Sequence, residues 1–271
     1  MEIGVVIILT SGGMEEKFKK AAESGFGVCQ LIAWDMSLLT EETAGLIREY
    51  CQKYAVRIST FWCGWTGGGI WDFIRGPETL GIVPLETQAS RVAELCHGSD
   101  FAKMIGAPQM ATHLGFIPEV PSDPKYQPAV EAVRVIAARC KENGQYFIFE
   151  TGQETPVTLL RLITDTGCDN LGINLDPANL ILYGKANPVD ALRIFGHYVR
   201  DVHAKDGKYP TNPRQLGEQT ALGEGDVNFP ALIAGLRACG YDATLTIERE
   251  ISGPEQERDI LAAKKLLEGL L

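Results

Sequence analysis

The stretch Arg200-Asp201-Val202-His203-Ala204-Lys205-Asp206-Gly207 decides how this chain is read. With Tyr198-Val199 before it, a strand-like run ends directly in a histidine, with an acid close behind. The glycine then lets the backbone turn away. Three other strand-like runs end in a carboxylate: Tyr146-Phe147-Ile148-Phe149-Glu150, Leu171-Gly172-Ile173-Asn174-Leu175-Asp176 and Thr244-Leu245-Thr246-Ile247-Glu248. An acid at the inner end of a buried strand is costly unless positive charge neutralises it there. Three carboxylates and one imidazole, each at a strand end, form a ligand set for a divalent cation.

Working outward, hydrophobic periodicity predicts the remaining elements. Strands are expected over 3–9, 28–34, 57–63 and 109–115, ahead of the four runs already quoted. Helices are expected over 14–24, from Thr40-Glu41-Glu42-Thr43 onward, and over 85–105, 126–143, 155–166, 188–195, 229–239 and 254–271. Eight strands alternating with helices imply a parallel sheet, and eight units close naturally into a (β/α)8 TIM barrel. The expected organisation is therefore one α/β domain over 1–271, its site at the C-terminal strand ends. No GxGxxG follows the first strand, which argues against an open dinucleotide-binding sheet.

Two loops break the rhythm. Residues 64–84 carry Trp65, Gly67-Gly68-Gly69, Trp71, Phe73 and Gly76-Pro77, a composition expected of a binding loop or lid. Residues 207–227 form a second, polar loop.

Composition narrows the function. The chain has 271 residues, 45% of them hydrophobic, and a net charge of −10. Such an acidic chain repels nucleic acid and anionic membranes, while small polar substrates and divalent cations remain open. No apolar run approaches the roughly 20 residues of a membrane span. Seven cysteines show no CxxC and no zinc-finger spacing, so free thiols in a reducing compartment are expected. Met1-Glu2 leads straight into an apolar strand without a basic segment, which predicts a cytoplasmic protein.

Glu150, Asp176, His203 and Glu248 leave the fifth to eighth strands, neighbours around a barrel. One histidine with three carboxylates is a hard, oxygen-dominated set suited to a single Mn2+ or Mg2+, with Co2+ or Zn2+ as alternatives. Asp176 stands before Pro177, where an N-cap is the competing role. At the third strand's end Trp62 offers a flat apolar wall for a small substrate. His113, at the fourth strand's exit, is placed to bond a substrate hydroxyl. Asp206 has three candidate roles: orienting substrate, holding the His203 ring or capping its loop.

Across nearly its whole length the chain resembles the xylose isomerase-like sugar isomerase and epimerase barrels, a family that includes the AP endonuclease type. The resemblance is carried by Phe149-Glu150-Thr151-Gly152-Gln153-Glu154, Asn174-Leu175-Asp176-Pro177-Ala178-Asn179, Val202-His203-Ala204-Lys205-Asp206, Gly223-Glu224-Gly225 and Ile247-Glu248-Arg249-Glu250. It implies that Glu150, Asp176, His203 and Glu248 hold one divalent metal. It also implies that Glu150 and Glu248, on opposite faces of a small sugar or polyol-like substrate, remove and return a proton through a metal-stabilised enediolate. The family's ketose 3-epimerases have a histidine where this chain has Asn179 and an arginine where it has Tyr209. Their second glutamate falls at Pro156, with Glu154 nearby. The substrate-orienting shell therefore differs, and Glu154 and Asn179 join Trp62, His113 and Asp206 as candidate substrate contacts. The same fold also carries inosose-type dehydration, abasic-site cleavage and non-catalytic carbohydrate binding. The sequence leaves open which sugar is used, whether it is phosphorylated, and whether the protein is a homo-oligomer.

Overall fold

A computed structural model describes residues 1–271. Its elements are, in order, β1 (Glu2–Ile8), α1 (Met14–Glu23), β2 (Val28–Ala33), α2 (Glu41–Tyr54), β3 (Arg57–Cys63), α3 (Gly76–Thr79), α4 (Leu85–Met104) and β4 (Gln109–Thr112). They continue with α5 (Tyr126–Glu142), β5 (Tyr146–Glu150), α6 (Pro156–Thr166), β6 (Leu171–Leu175), α7 (Pro177–Leu182), α8 (Pro188–Phe195) and β7 (Val199–Ala204). Last come β8 (Asp206–Lys208), β9 (Glu218–Thr220), α9 (Phe229–Ala238), β10 (Thr244–Ile247) and α10 (Pro254–Glu268). Eight parallel strands close in the order β1-β10-β7-β6-β5-β4-β3-β2, the expected (β/α)8 barrel.

Side-chain parity explains both the core and the site. Successive strand residues face opposite ways. In β5, Phe147 and Phe149 enter the large cluster between strands and helices, whereas Ile148 packs inside the barrel with Ile32, Trp62, Trp65, Leu80 and Ala111. Glu150 shares the parity of Ile148. Continuing inward and upward, the same parity aligns Thr60 with Trp62, Asp201 with His203, and Thr246 with Glu248.

Three features differ from the sequence expectation. Strand β4 ends at Thr112, so His113 lies just beyond it. The stretch after Asp176 winds immediately into α7, because Asp176 Oδ1 accepts the Asn179 amide at 2.8 Å and Pro177 starts the helix. The 207–227 loop contains an antiparallel β8–β9 pair outside the barrel.

The loop over 64–84 is tied to the strand beside it. Ile82 N donates to Leu114 O at 2.9 Å. A Cβ on Gly81 would lie 2.0 Å from Leu114 O, and one on Gly115 would lie 2.2 Å from Leu80 O. Both glycines have positive φ, so side chains are excluded there twice over. Buried Arg91, on α4, donates to the carbonyls of Thr79 (2.8 Å), Gly81 (2.6 Å) and Gly68 (3.1 Å), and its guanidinium lies 5.1 Å from the Trp65 ring centroid.

Candidate metal centre and active site

The four strand-end residues meet. One potential ligand atom from each of Glu150, Asp176, His203 and Glu248 lies within 4.8 Å of all the others. His203 Nδ1 is the hub, 3.4 Å from Glu150 Oε1, 3.4 Å from Asp176 Oδ2 and 3.3 Å from Glu248 Oε2. Beneath it His203 Nε2 lies 2.9 Å from Gln30 Oε1, and Gln30 Nε2 donates to Asn174 Oδ1 at 3.2 Å. With Nε2–H assigned as donor to Gln30, Nδ1 presents its lone pair to the three carboxylates, as a metal-ligating imidazole does.

These atoms fit a cation. His203 Nδ1, Asp176 Oδ2 and Glu248 Oε2 are buried without hydrogen-bond partners. Apart from Nδ1, the two carboxylate oxygens meet only the Lys205 ammonium, at 3.4 and 3.0 Å, and Nδ1 has only carboxylate oxygens around it, so a shared cation would satisfy all three together. Asp176 fills the N-cap role with Oδ1, while Oδ2 faces the cage.

Glu150 is the most constrained of the four. Its Oε1 accepts from Asn179 Nδ2 at 3.0 Å and lies 3.3 Å from His113 Nε2, while Oε2 accepts from the Trp62 indole N–H. Burial opposes ionisation of Glu150, but His113 and His203 outweigh it and hold the carboxyl well below its ordinary range. Burial likewise opposes a charged Glu248, yet Lys205 and His203 push it down to about 2. For His203 burial acts downward, but Glu248 and Glu150 hold it well above the usual imidazole value. A cation would compete with that proton.

Buried Lys205 lies 3.4 Å from Asp176 Oδ2, 3.0 Å from Glu248 Oε2 and 2.9 Å from Glu250 Oε2, and it donates to Asn179 Oδ1 at 3.3 Å. No ion pair joins it to Glu150, so the ammonium lies to one side of the cage. The strand period carries both Lys205 and Glu250: each stands two residues after a cage residue and faces the same way.

Above the cage a cavity of about 440 Å³ is walled by Trp34, Trp62, Trp71, His113, Tyr183 and Leu216, with Glu150, Asn179, Lys205, Glu248 and Glu250 among its polar groups. All four tryptophans of the chain touch one another here, and the Trp71 ring lies 5.1 Å from that of His113. Sequence reasoning named Trp62 as a substrate wall and placed Trp65 and Trp71 in an expected binding loop or lid; Trp34, which directly follows β2, was read only as the end of a strand.

Of the five expected substrate contacts, Trp62, His113 and Asn179 line this cavity. Asp206 does not, and of the three roles weighed for it the structure favours capping its loop. Its two oxygens accept from the amides of Gly207 (2.8 Å), Gly223 (2.9 Å), Gly225 (3.1 Å) and Val227 (3.1 Å), so it holds its loop instead. That explains the Gly223-Glu224-Gly225 motif, since a Cβ on Gly225 would meet Asp206 Oδ1 at 2.1 Å. Glu154 also lies outside the cavity lining. Gly152 packs against Asn179 and His113, the chain then turns away, and burial pushes the Glu154 carboxyl up to about 7.

The molecule is thus a closed (β/α)8 barrel whose C-terminal mouth carries a four-residue cluster that could hold a metal ion. Residues 18–269 match the xylose isomerase-like TIM barrel family, and the chain belongs to it. A xylose isomerase domain protein from Planctomyces limnophilus is 39% identical, with 99% of this chain and 96% of that one covered at a TM-score of 0.92. A D-tagatose 3-epimerase-like protein shares the fold at 22% identity and a TM-score of 0.77, covering 100% and 97%. An inosose dehydratase of Lacticaseibacillus casei is 23% identical over 148 residues, 48% of each chain. Matches to the first curated relatives span only 37% and 49% of those proteins' lengths.

Proposed function

We propose that the protein is a divalent-metal-dependent sugar isomerase or epimerase, with Mn2+ or Mg2+ held by Glu150, Asp176, His203 and Glu248. The observation that carries this reading is the set of possible ligand atoms converging on His203 Nδ1 at the floor of an indole-walled cavity. Bound there, the cation would supply Lewis acidity toward the carbonyl and hydroxyl oxygens of a sugar.

Glu150 and Glu248 then divide the proton work. Glu150, fixed by Trp62, Asn179 and His113, is the rigid acid–base group. Glu248, held against Lys205, is its counterpart from the next strand but two around the barrel. One removes the proton beside the carbonyl and the other returns it. The indoles stack on the C–H face of the sugar and exclude water.

Solvent deuterium exchange into sugar C–H bonds, followed by NMR with added Mn2+, tests the reading. Glu150→Gln and Glu248→Gln should each slow exchange at least about a hundredfold, the lower range for a positioned acid or base. Variants that bind metal yet exchange like the parent would sink the assignment. The likeness to an inosose dehydratase supports a second reading, in which a β-hydroxyl leaves and a keto-deoxy product accumulates. The acidic chain argues against abasic-site cleavage in DNA. Exchange itself would exclude a non-catalytic carbohydrate-binding barrel.

A further inference from the structure

We infer, resting on the sugar reading above, that the substrate is an uncharged sugar bearing a second sugar unit: the reacting ring sits in the cavity, and the substituent runs over Trp34 into a neighbouring groove.

The charge of the cavity argues against a phosphate. Four carboxylates (Glu150, Asp176, Glu248 and Glu250) face one ammonium, and even one doubly charged cation together with a protonated His113 brings the balance no further than neutral. Lys205 already meets three carboxylate oxygens. Lys208 and Arg214, the bases nearest in sequence, do not line the cavity.

A second groove of about 700 Å³ runs between β1–α1 and α10, and its wall shares Ile32, Trp34, Glu248 and Glu250 with the cavity. Its cations are all engaged: Lys17 with Ile8 O (2.7 Å) and Thr10 Oγ1 (2.8 Å), Lys20 with Glu257 (2.7 Å), and Arg249 with Asp259 (2.7 Å). Its apolar groups are unusually open, with Ile8 47%, Trp34 43% and Leu261 44% exposed. Trp34 joins the two spaces. Its ring centroid lies 4.9 Å from that of Trp62 and 6.2 Å from that of Trp71, so it extends the cavity's aromatic wall into the groove. An indole row with acids alongside suits a chain of sugar rings, whose C–H faces stack while their hydroxyls donate to carboxylates.

The test measures binding by calorimetry and tryptophan fluorescence on the Mn2+-loaded protein. A panel of reducing hexoses is compared as free sugars, as terminal phosphates and as O-glucosyl derivatives. The O-glucosyl forms should bind about tenfold tighter than the free sugars, and the phosphates more weakly than either. Leu261→Trp, on an exposed helical position, should remove most of the glucosyl advantage by filling the groove. Tightest binding of phosphates, no glucosyl preference, or a variant that weakens free and glucosylated sugars alike would each overturn the inference. Glucosyl preference without exchange at any carbon would instead overturn the proposed reaction and leave the groove assignment standing.

Discussion

The barrel mouth has two unlike halves. Strands β5, β6, β7 and β10 deliver charge, with Glu150, Asp176, His203, Lys205 and Glu248 converging at 3.0–3.4 Å. Strands β2 to β4 and the loop after β3 deliver rings: Trp34, Trp62, Trp65, Trp71 and His113. The charged half is positioned by strand ends, whose direction the ladder fixes. The aromatic half depends in part on a long loop that brings Trp65 and Trp71 and is held by buried Arg91 and the Ile82–Leu114 backbone bond. The four possible ligands sit at strand ends, as do Trp34, Trp62 and His113, whereas Trp65 and Trp71 sit on the loop.

Breaking the charged half should have the largest effect. His203→Ala removes the hub, and its loss of metal affinity should exceed the roughly 10- to 100-fold typical of outer-shell changes. Metal titration by calorimetry reads this directly, with the melting temperature of the metal-free protein confirming that the variant folds. An unchanged metal affinity would mean that the cage is not where the cation binds.

Breaking the aromatic half should change stability and leave the cage alone. Arg91→Met keeps the apolar stem but removes the donors to the carbonyls of Thr79, Gly81 and Gly68. Unsatisfied buried carbonyls cost about 1–3 kcal/mol each, and partial rehydration brings the expected total to about 3 kcal/mol. Denaturant unfolding measures that loss, and tryptophan emission should shift red as Trp65 and Trp71 loosen. Equal loss of metal affinity would show that the two halves are not separable.

The same division governs what could be read from the sequence. The barrel and the cage were legible because alternation, a period of two and an acid or histidine at each strand end are local signals. Lys205 and Glu250 were within reach by the same period. The short helix after Asp176 was hidden by its length, though Pro177 and the capping acid announce it in retrospect. Arg91 reads as an ordinary position in α4, since nothing local says that three carbonyls will surround it. The choice among the three roles of Asp206 stayed open for the same reason: its partners at Gly223, Gly225 and Val227 are distant in sequence.

Glu154 sharpens the contrast at smaller scale. Glu248 and Glu154 are both buried acids, yet Lys205 and His203 push the first down to about 2, whereas burial outweighs His113 and Lys185 and pushes the second up to about 7. A raised carboxyl means that the folded chain holds its proton more tightly than the unfolded chain does. Below the unfolded value of 4.5 both states are protonated, and the site costs nothing. As pH rises from there toward 7, the unfolded chain ionises first and stability drains away. Glu154→Gln, which cannot ionise, should therefore nearly match the parent near pH 4.5 and exceed it at pH 8 by about 3 kcal/mol. Paired denaturant curves at the two pH values measure the difference. A variant equally stabilised at both would locate the benefit in packing, and one never stabilised would mean that the Glu154 carboxylate is already compensated in the folded chain.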